Sequence, residues 1–135
     1  MSVKMQLSLL MFGTIGSMLL VSVSCKNVYV VGDKLGWNIP SQKGFFDDWA
    51  KSKTFAVGDQ LLFQYRPGLN TVVMVDKEDY DNCATMRIKR TFIVGNSPVT
   101  LEKPGDYYFF SSVGKHCENG LKLHITVTDQ PKSSN

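Results

Sequence analysis

The residues best suited to chemistry lie between Asp106 and Leu121, where the chain reads DYYFFSSVGKHCENGL. In this segment Ser111, His116 and Cys117 supply a hydroxyl, an imidazole and a thiol. An electron-transfer copper site needs two imidazoles, one thiolate and a weak axial donor. The segment supplies only one good ligand of this kind, His116, and the Ser111 hydroxyl is too hard a donor to replace a thiolate.

A second chemistry that these residue types suggest is hydrolysis, with Ser111 as the nucleophile and His116 as the base. Such catalysis also requires a third group that orients the imidazole and an oxyanion hole. The sequence contains no Gly-x-Ser-x-Gly nucleophile elbow to supply that context. We therefore expect a protein that is not an enzyme.

The first residues of the chain have the pattern of a secretory signal peptide. Lys4 precedes an apolar run from Leu7 to Val23 that ends in small residues. A membrane anchor is the alternative, but glycines and serines dilute the run, and it is short for a spanning helix. Cleavage could follow Ser24 or Cys25, and we favour Cys25.

Cleavage after Cys25 leaves an even pair of cysteines, Cys83 and Cys117, in an oxidising compartment. We expect these two residues to form a disulfide, and two buried free thiols are the alternative. A loop of this length is worth about 4 kcal/mol in the chain-entropy model. The bond would tie the segment after Asn70 to the loop that carries His116.

Length and composition predict one packed domain. The chain has 135 residues, of which 43% are hydrophobic and 20% are charged, as in globular proteins. We divide it into a signal peptide (1–25), a folded domain (26–128) and a short tail (129–135). The tail after Thr128 contains no hydrophobic stretch that would direct a lipid anchor. We expect a secreted, extracellular monomer with no stable membrane anchor.

The charge balance argues against nucleic acid as a partner. Removal of Lys4 changes 15 minus 12, or +3, to 14 minus 12, or +2, which is weak for such a ligand. Arg87, Lys89 and Arg90 form the only local basic cluster. The cluster could meet an acidic polysaccharide or glycoprotein, although an ordinary solvated strand or loop is the favoured interpretation.

Short segments rich in β-branched and aromatic residues, separated by turn signals, predict an antiparallel two-sheet sandwich. The predicted strands are Val28 to Val31, Gln60 to Tyr65, Thr71 to Val75, Thr91 to Val94, Val99 to Leu101, Tyr107 to Ser111 and Lys122 to Thr128. Two short helices are expected, from Asp47 to Lys51 and from Asp76 to Cys83, with Asp76 as the cap of the second. The aromatic residues expected in the core are Trp37, Trp49, Phe55, Tyr107 and Phe109. Alternation in the last strand places His124 on its polar face, with no site implied.

Four blocks of sequence resemble the phytocyanins, the plant cupredoxins that include plantacyanins, stellacyanins and early nodulin-like proteins. The blocks read VGDKLGWNIP, DWAKSKTFAVGDQLLFQY, NTVVMVDKEDYDNC and KPGDYYFFSSVGKHCENGLKL. The resemblance implies an all-β, cupredoxin-like Greek-key sandwich of two sheets, with one or two short helices and one disulfide.

Carried over by position, the family's copper ligands fall on Asn70, Ser111, His116 and Leu121. An amide is a poor transition-metal ligand, a serine hydroxyl is hard and stays protonated, and leucine has no donor atom. Lys115 beside the site would further disfavour a bound cation. The resemblance therefore implies a degenerate copper site, and we expect no cofactor, with copper as the alternative.

Loss of the ligands suggests that the same end of the domain binds a partner. The expected patch contains the four degenerate ligand positions together with Leu69, Val113 and Lys115. The resemblance implies a location in the apoplast or cell wall. We expect a copper-free, non-catalytic binding module there, with a cell-wall glycan, an arabinogalactan protein or a receptor ectodomain as its partner. The alternative is a copper-binding electron carrier of the blue copper type.

Overall fold

The computed structural model describes residues 26–129. The predicted signal peptide (1–25) lies outside the described residues, as does all of the predicted tail after residue 129. Within residues 26–129, no helix is long and apolar enough to cross a membrane.

The described chain forms two β-sheets. The smaller sheet contains β1 (Val28–Val30), β3 (Gln60–Phe63) and β6 (Ser97–Thr100), in the order β1-β3-β6. The larger sheet has the order β2-β8-β7-β4-β5 and contains β2 (Phe55–Ala56), β4 (Val72–Val75), β5 (Arg90–Phe92), β7 (Gly105–Phe110) and β8 (Lys122–Thr128). Two short helices join these strands, α1 (Phe45–Lys51) and α2 (Lys77–Asn82). The predicted two-sheet sandwich with two short helices is confirmed.

The prediction that all strands are antiparallel was wrong for two pairs. β1 pairs with β3 in parallel, and β2 pairs with β8 in parallel. A parallel pair needs a long connection between its strands. The segment that contains α1 supplies this connection between β1 and β3. β2 itself was not predicted, because two residues are too few to show an alternating pattern.

The core lies between the sheets and is rich in aromatic rings. Trp37 is fully buried, and its ring packs edge-on against Phe63 with 4.8 Å between centroids. Of the five aromatics expected in the core, Tyr107 is only half buried, because it lies near the beginning of β7 at the rim of the sandwich. His124 faces outward and stacks on Tyr108 at 4.5 Å, as its polar-face position predicted.

A disulfide fixes α2 to the loop after β7. The Asp76 side chain caps this helix by accepting a hydrogen bond from the Asp79 N–H at 3.0 Å. Cys83 follows the helix with φ of 50° and bonds to Cys117 with a Cα–Cα distance of 5.8 Å. The predicted cap and the predicted disulfide are both confirmed.

Candidate functional site

Ser111 and His116 are brought together by the loop between β7 and β8. Ser111 follows directly after β7, and its N–H donates to the Leu121 carbonyl at 3.1 Å. The loop then turns back, because the His116 N–H donates to the Val113 carbonyl and the Leu121 N–H donates to the His116 carbonyl, both at 2.9 Å. The loop is therefore held by its own backbone, with the imidazole directed at the end of β7.

The Ser111 hydroxyl contacts the imidazole directly. Its Oγ lies 3.0 Å from His116 Nδ1, and it also accepts a hydrogen bond from the Thr71 N–H at 3.2 Å. Because a hydroxyl can both donate and accept, either Oγ or Nδ1 can be the donor in this pair, depending on the tautomer of the imidazole. In both tautomers, His116 Nδ1 is engaged within the protein.

Asn70 has a structural role in the connection that precedes β4. Its side chain is only 3% exposed. Its Nδ2 donates to the Trp37 carbonyl at 2.7 Å and to Asn38 Oδ1 at 3.2 Å. The Trp37 Nε1 in turn donates to the Thr71 carbonyl at 2.8 Å, so the two segments are joined in both directions. The Asn70 amide nitrogen therefore holds two loops together.

Leu121 closes the underside of the site with a purely apolar side chain. It is fully buried and belongs to the main hydrophobic cluster. The four predicted positions thus place one imidazole, one hydroxyl, one engaged amide and one alkyl group at this end of the sandwich. Among residues 26–129, no group of three or more His, Cys, Asp or Glu side chains is arranged to hold a metal ion. This donor set does not suit copper, which requires a thiolate and a second imidazole.

The geometry does not favour hydrolysis either. Ser111 is 0% exposed, so a substrate carbonyl cannot approach its hydroxyl. Within the described residues, Ser111 supplies the one side-chain hydrogen bond that His116 makes, and no carboxylate orients the ring. The hydroxyl and imidazole are close, as this hypothesis required, but they form a structural pair.

The predicted surface patch needs correction at three positions. Asn70, Ser111 and Leu121 are buried, so they support the patch from below and contribute no contact area. Leu69 and Val113 are exposed by 50% and 36%, as the prediction requires. Only the tips of these loops reach solvent. Leu69 and Val113 are therefore exposed, whereas the residues nearer the ends of the strands are buried.

Ile39 belongs to the same surface and was missed. Its side chain is 43% exposed, and its neighbour Asn38 contacts Asn70. The sequence shows an apolar residue before Pro40 without any sign that it faces solvent. We define the apical patch by its exposed or partly exposed members: Ile39, Leu69, Val113, Lys115 and His116.

Comparison with known proteins gives matches over most of the domain. A family model described as a plastocyanin-like domain matches residues 37–121. Early nodulin-like protein 15 of Arabidopsis thaliana is 37% identical over 107 residues, which are 78% of this chain and 60% of that protein. Stellacyanin of Toxicodendron vernicifluum is 36% identical over 107 residues, which are 75% of this chain and 96% of that protein.

A solved structure supports the same fold. Cucumber stellacyanin, determined with Cu²⁺ at pH 7.0, has a TM-score of 0.71 and 37% identity, and the match covers 78% of this chain and 97% of that one. The predicted cupredoxin-like sandwich is confirmed. The chain spans only about 60% of the length of the early nodulin-like relative.

Proposed function

Because this chain belongs to the plastocyanin-like family of phytocyanins, we propose that it is a secreted member that binds a partner without catalysis at the cell wall or cell surface. The observation that carries the proposal is the hydrogen bond between Ser111 Oγ and His116 Nδ1. The Ser111 hydroxyl engages one nitrogen of the imidazole, and it stands in place of a thiolate at the expected position. The predicted positions then do not supply the complete set of ligands that an electron-transfer copper site needs.

The apical patch is the surface that supports binding. Ile39, Leu69 and Val113 expose apolar side chains at one end of the sandwich, and Lys115 adds a positive charge. Exposed apolar groups gathered on a soluble domain are typical of interaction surfaces. The buried hydrogen bonds of Asn70 and Ser111 hold the loops beneath the patch, so binding would order little additional backbone.

The apolar side chains of the apical patch also bear on which class of partner it binds. A cell-wall glycan, an arabinogalactan protein and a receptor ectodomain are all compatible with an extracellular location, and the apolar content of the patch favours a protein surface among them. A copper-binding electron carrier is the second candidate, and the relative that was solved with Cu²⁺ favours it. That candidate requires ligands other than Ser111 and Leu121.

The test that separates the two candidates is a copper titration of the chain from Lys26 with its disulfide intact, followed by absorption spectroscopy. We expect no tight copper and no strong charge-transfer band. One tightly bound copper per chain with an intense blue absorption would overturn the proposal and make electron transfer the function.

The binding role itself is tested on extracellular glycans and receptor ectodomains with a pair of double variants. Leu69→Asp with Val113→Asp places two charges in the apical patch. Val28→Asp with Met86→Asp places two charges at exposed apolar positions elsewhere. We expect only the first pair to abolish capture of a partner, and equal loss from both pairs would assign the effect to net charge.

A further inference from the structure

A groove separate from the apical patch opens between the edges of the two sheets. β5 pairs only with β4, and β6 pairs only with β3, so both are edge strands, and Arg90 and Thr100 line the groove from opposite sides. Its volume is about 430 Å³, which lies within the range of small-ligand sites. β7 begins at this groove with Gly105 and ends beside Ser111, so the two sites lie roughly 20 Å apart along an extended strand.

Two half-buried side chains, Met74 and Tyr107, form the deeper part of the groove. The Tyr107 hydroxyl donates to the Lys103 carbonyl at 2.8 Å and accepts from the Lys103 N–H at 3.2 Å. This double contact fixes the turn before β7 and holds Lys103 at the rim. The ring itself offers an apolar face of the kind against which the C–H groups of a sugar pack.

Three cations from two parts of the chain surround Met74 and Tyr107: Lys89 and Arg90 at the start of β5, and Lys103 in the turn before β7. None of them forms an ion pair within residues 26–129. The Arg90 guanidinium lies 4.9 Å from the centre of the Phe92 ring, which orients it without neutralising it. These charges are therefore available to an anionic ligand.

Arg87, which the sequence grouped with these cations, has a different environment. Its Nε lies 3.1 Å from Asp76 Oδ2, and its terminal nitrogen lies 2.6 Å from Glu78 Oε1. Both carboxylates belong to the beginning of α2, so Arg87 is neutralised by the helix. The structure replaces Arg87 in the basic cluster with Lys103.

Glu102 also lines the groove, whereas the carboxylate of Asp106 lies on the outward face of β7 and β8, away from Tyr107. Asp106 Oδ1 accepts hydrogen bonds from Thr126 at 2.7 Å and from His124 at 3.0 Å, which keep the pKa of this carboxyl below its usual value. The negative charge of Glu102 in the groove disfavours a ligand that carries an acidic group on every unit without hydroxyls between them. It suits a ligand whose hydroxyls donate to Glu102 while its carboxylates meet the cations.

We propose that this groove binds a carboxylate-bearing oligosaccharide, with uronate carboxylates against Lys89, Arg90 and Lys103, sugar hydroxyls against Glu102, and a pyranose face against Tyr107. The site goes beyond the apical patch and does not depend on it. It gives the protein a second ligand of defined chemistry.

The probe is a tetramer of α-1,4-linked galacturonic acid, titrated by calorimetry into the chain from Lys26 with its disulfide intact. The fully methyl-esterified tetramer is the control for ligand charge, and tetraglutamate is the control for ligand class. We expect the acidic tetramer to bind at least about tenfold more tightly than either control, because it alone matches both the cations and the Glu102 carboxylate. Equal binding of the esterified tetramer, or tighter binding of tetraglutamate, would overturn the proposal.

Two triple variants separate the groove from general electrostatic attraction. The groove variant combines Lys89→Gln, Arg90→Gln and Lys103→Gln. The matched control removes three exposed charges elsewhere through Lys34→Gln, Lys43→Gln and Lys51→Gln. We expect the first to weaken binding by about tenfold or more and the second to change it by less than about threefold, because distant exposed charges are screened.

Equal weakening by the two triple variants would overturn the groove as the site. The apical variant Leu69→Asp with Val113→Asp should leave uronate binding intact. Failure of the groove experiment and failure of the apical proposal are thereby distinguishable.

Discussion

Ser111 Oγ and His116 Nδ1 lie 3.0 Å apart, and this hydrogen bond stands where a copper–ligand pair is expected from the family. The hydroxyl also receives the Thr71 N–H, so one side chain connects the loop after β7 with the segment before β4. The site residues thus stabilise the end of the sandwich through hydrogen bonds and apolar packing.

Restoring the family ligands should create a copper site. We expect the triple variant Asn70→His, Ser111→Cys and Leu121→Gln to bind copper and to show an intense visible band, because it completes two imidazoles, a thiolate and an axial donor. Absorption spectroscopy and metal analysis provide the measurement, with circular dichroism to verify folding. The same variant with His116→Ala is the control and should stay colourless, and a folded but colourless triple variant would contradict the assigned positions.

Removal of the Ser111 hydroxyl should destabilise the fold. Ser111→Ala leaves the Thr71 N–H and His116 Nδ1 without their partner, and an unsatisfied buried group costs roughly 1–3 kcal/mol. Ser112→Ala is the neighbouring control. Its hydroxyl lies 2.8 Å from Thr71 Oγ1, but this contact is exposed to solvent, so we expect a loss of no more than about 0.5 kcal/mol there. Urea unfolding of both variants measures the difference, and equal losses would show that the pair has no special role.

Two leucines at the same end of the domain should differ in how much they contribute to the free energy of unfolding. Leu121 is fully buried, so Leu121→Ala should lower the free energy of unfolding by roughly 2–5 kcal/mol. Leu69 is 50% exposed, so Leu69→Ala should change it by less than about 0.5 kcal/mol and weaken only partner capture. Thermal and urea unfolding provide the test, and a stable Leu121→Ala protein would contradict the assigned burial.

Loss of the disulfide should weaken the whole domain. Cys83 and Cys117 are 34 residues apart, and closing a loop of this size is worth about 4 kcal/mol in the chain-entropy model. The double variant Cys83→Ala with Cys117→Ala should therefore unfold at a lower urea concentration, and with a steeper dependence on urea because its unfolded chain is less compact. Reduction of the disulfide in the parent protein should reproduce the effect. An unchanged urea midpoint would show that the disulfide does not stabilise the domain.

Acid should reduce the stability that the ionised Asp76 side chain contributes as the cap of α2. The hydrogen bond from the Asp79 N–H, aided by the charge of Arg87, holds the pKa of Asp76 below its usual value of 3.8. A carboxyl whose pKa is lowered by folding stabilises the protein above its unfolded pKa, and this contribution disappears as pH falls through the folded pKa. The parent should therefore exceed Asp76→Asn in stability at pH 7, and the gap should narrow near pH 3.

Urea midpoints at the two pH values measure this gap. Asp48→Asn, at an exposed carboxylate 3.8 Å from Lys51, is the control and should show a smaller change with pH. A gap for Asp76→Asn that stays constant between pH 7 and pH 3 would contradict the assigned cause.

Local patterns in the sequence were enough for much of the fold. Alternation of Leu123, Ile125 and Val127 with polar residues sets the two faces of β8, and Asp76 at the start of α2 is a cap by its residue type alone. The family blocks and the pair Cys83 and Cys117 predicted the sandwich and its disulfide. These features depend on neighbouring residues or on parity, so they can be read along the chain.

Tertiary structure alone decided which residues face solvent or one another. The burial of Asn70 and Leu121, the exposure of Ile39, and the parallel pairing of β1 with β3 depend on how loops and sheets stack. Tertiary structure also decided that Lys103, and not Arg87, lies in the groove with Lys89 and Arg90. These residues are distant in sequence and meet only at the adjacent edges of the two sheets. The sequence by itself determined the chemical types at the degenerate site, and packing determined which of them are available for binding.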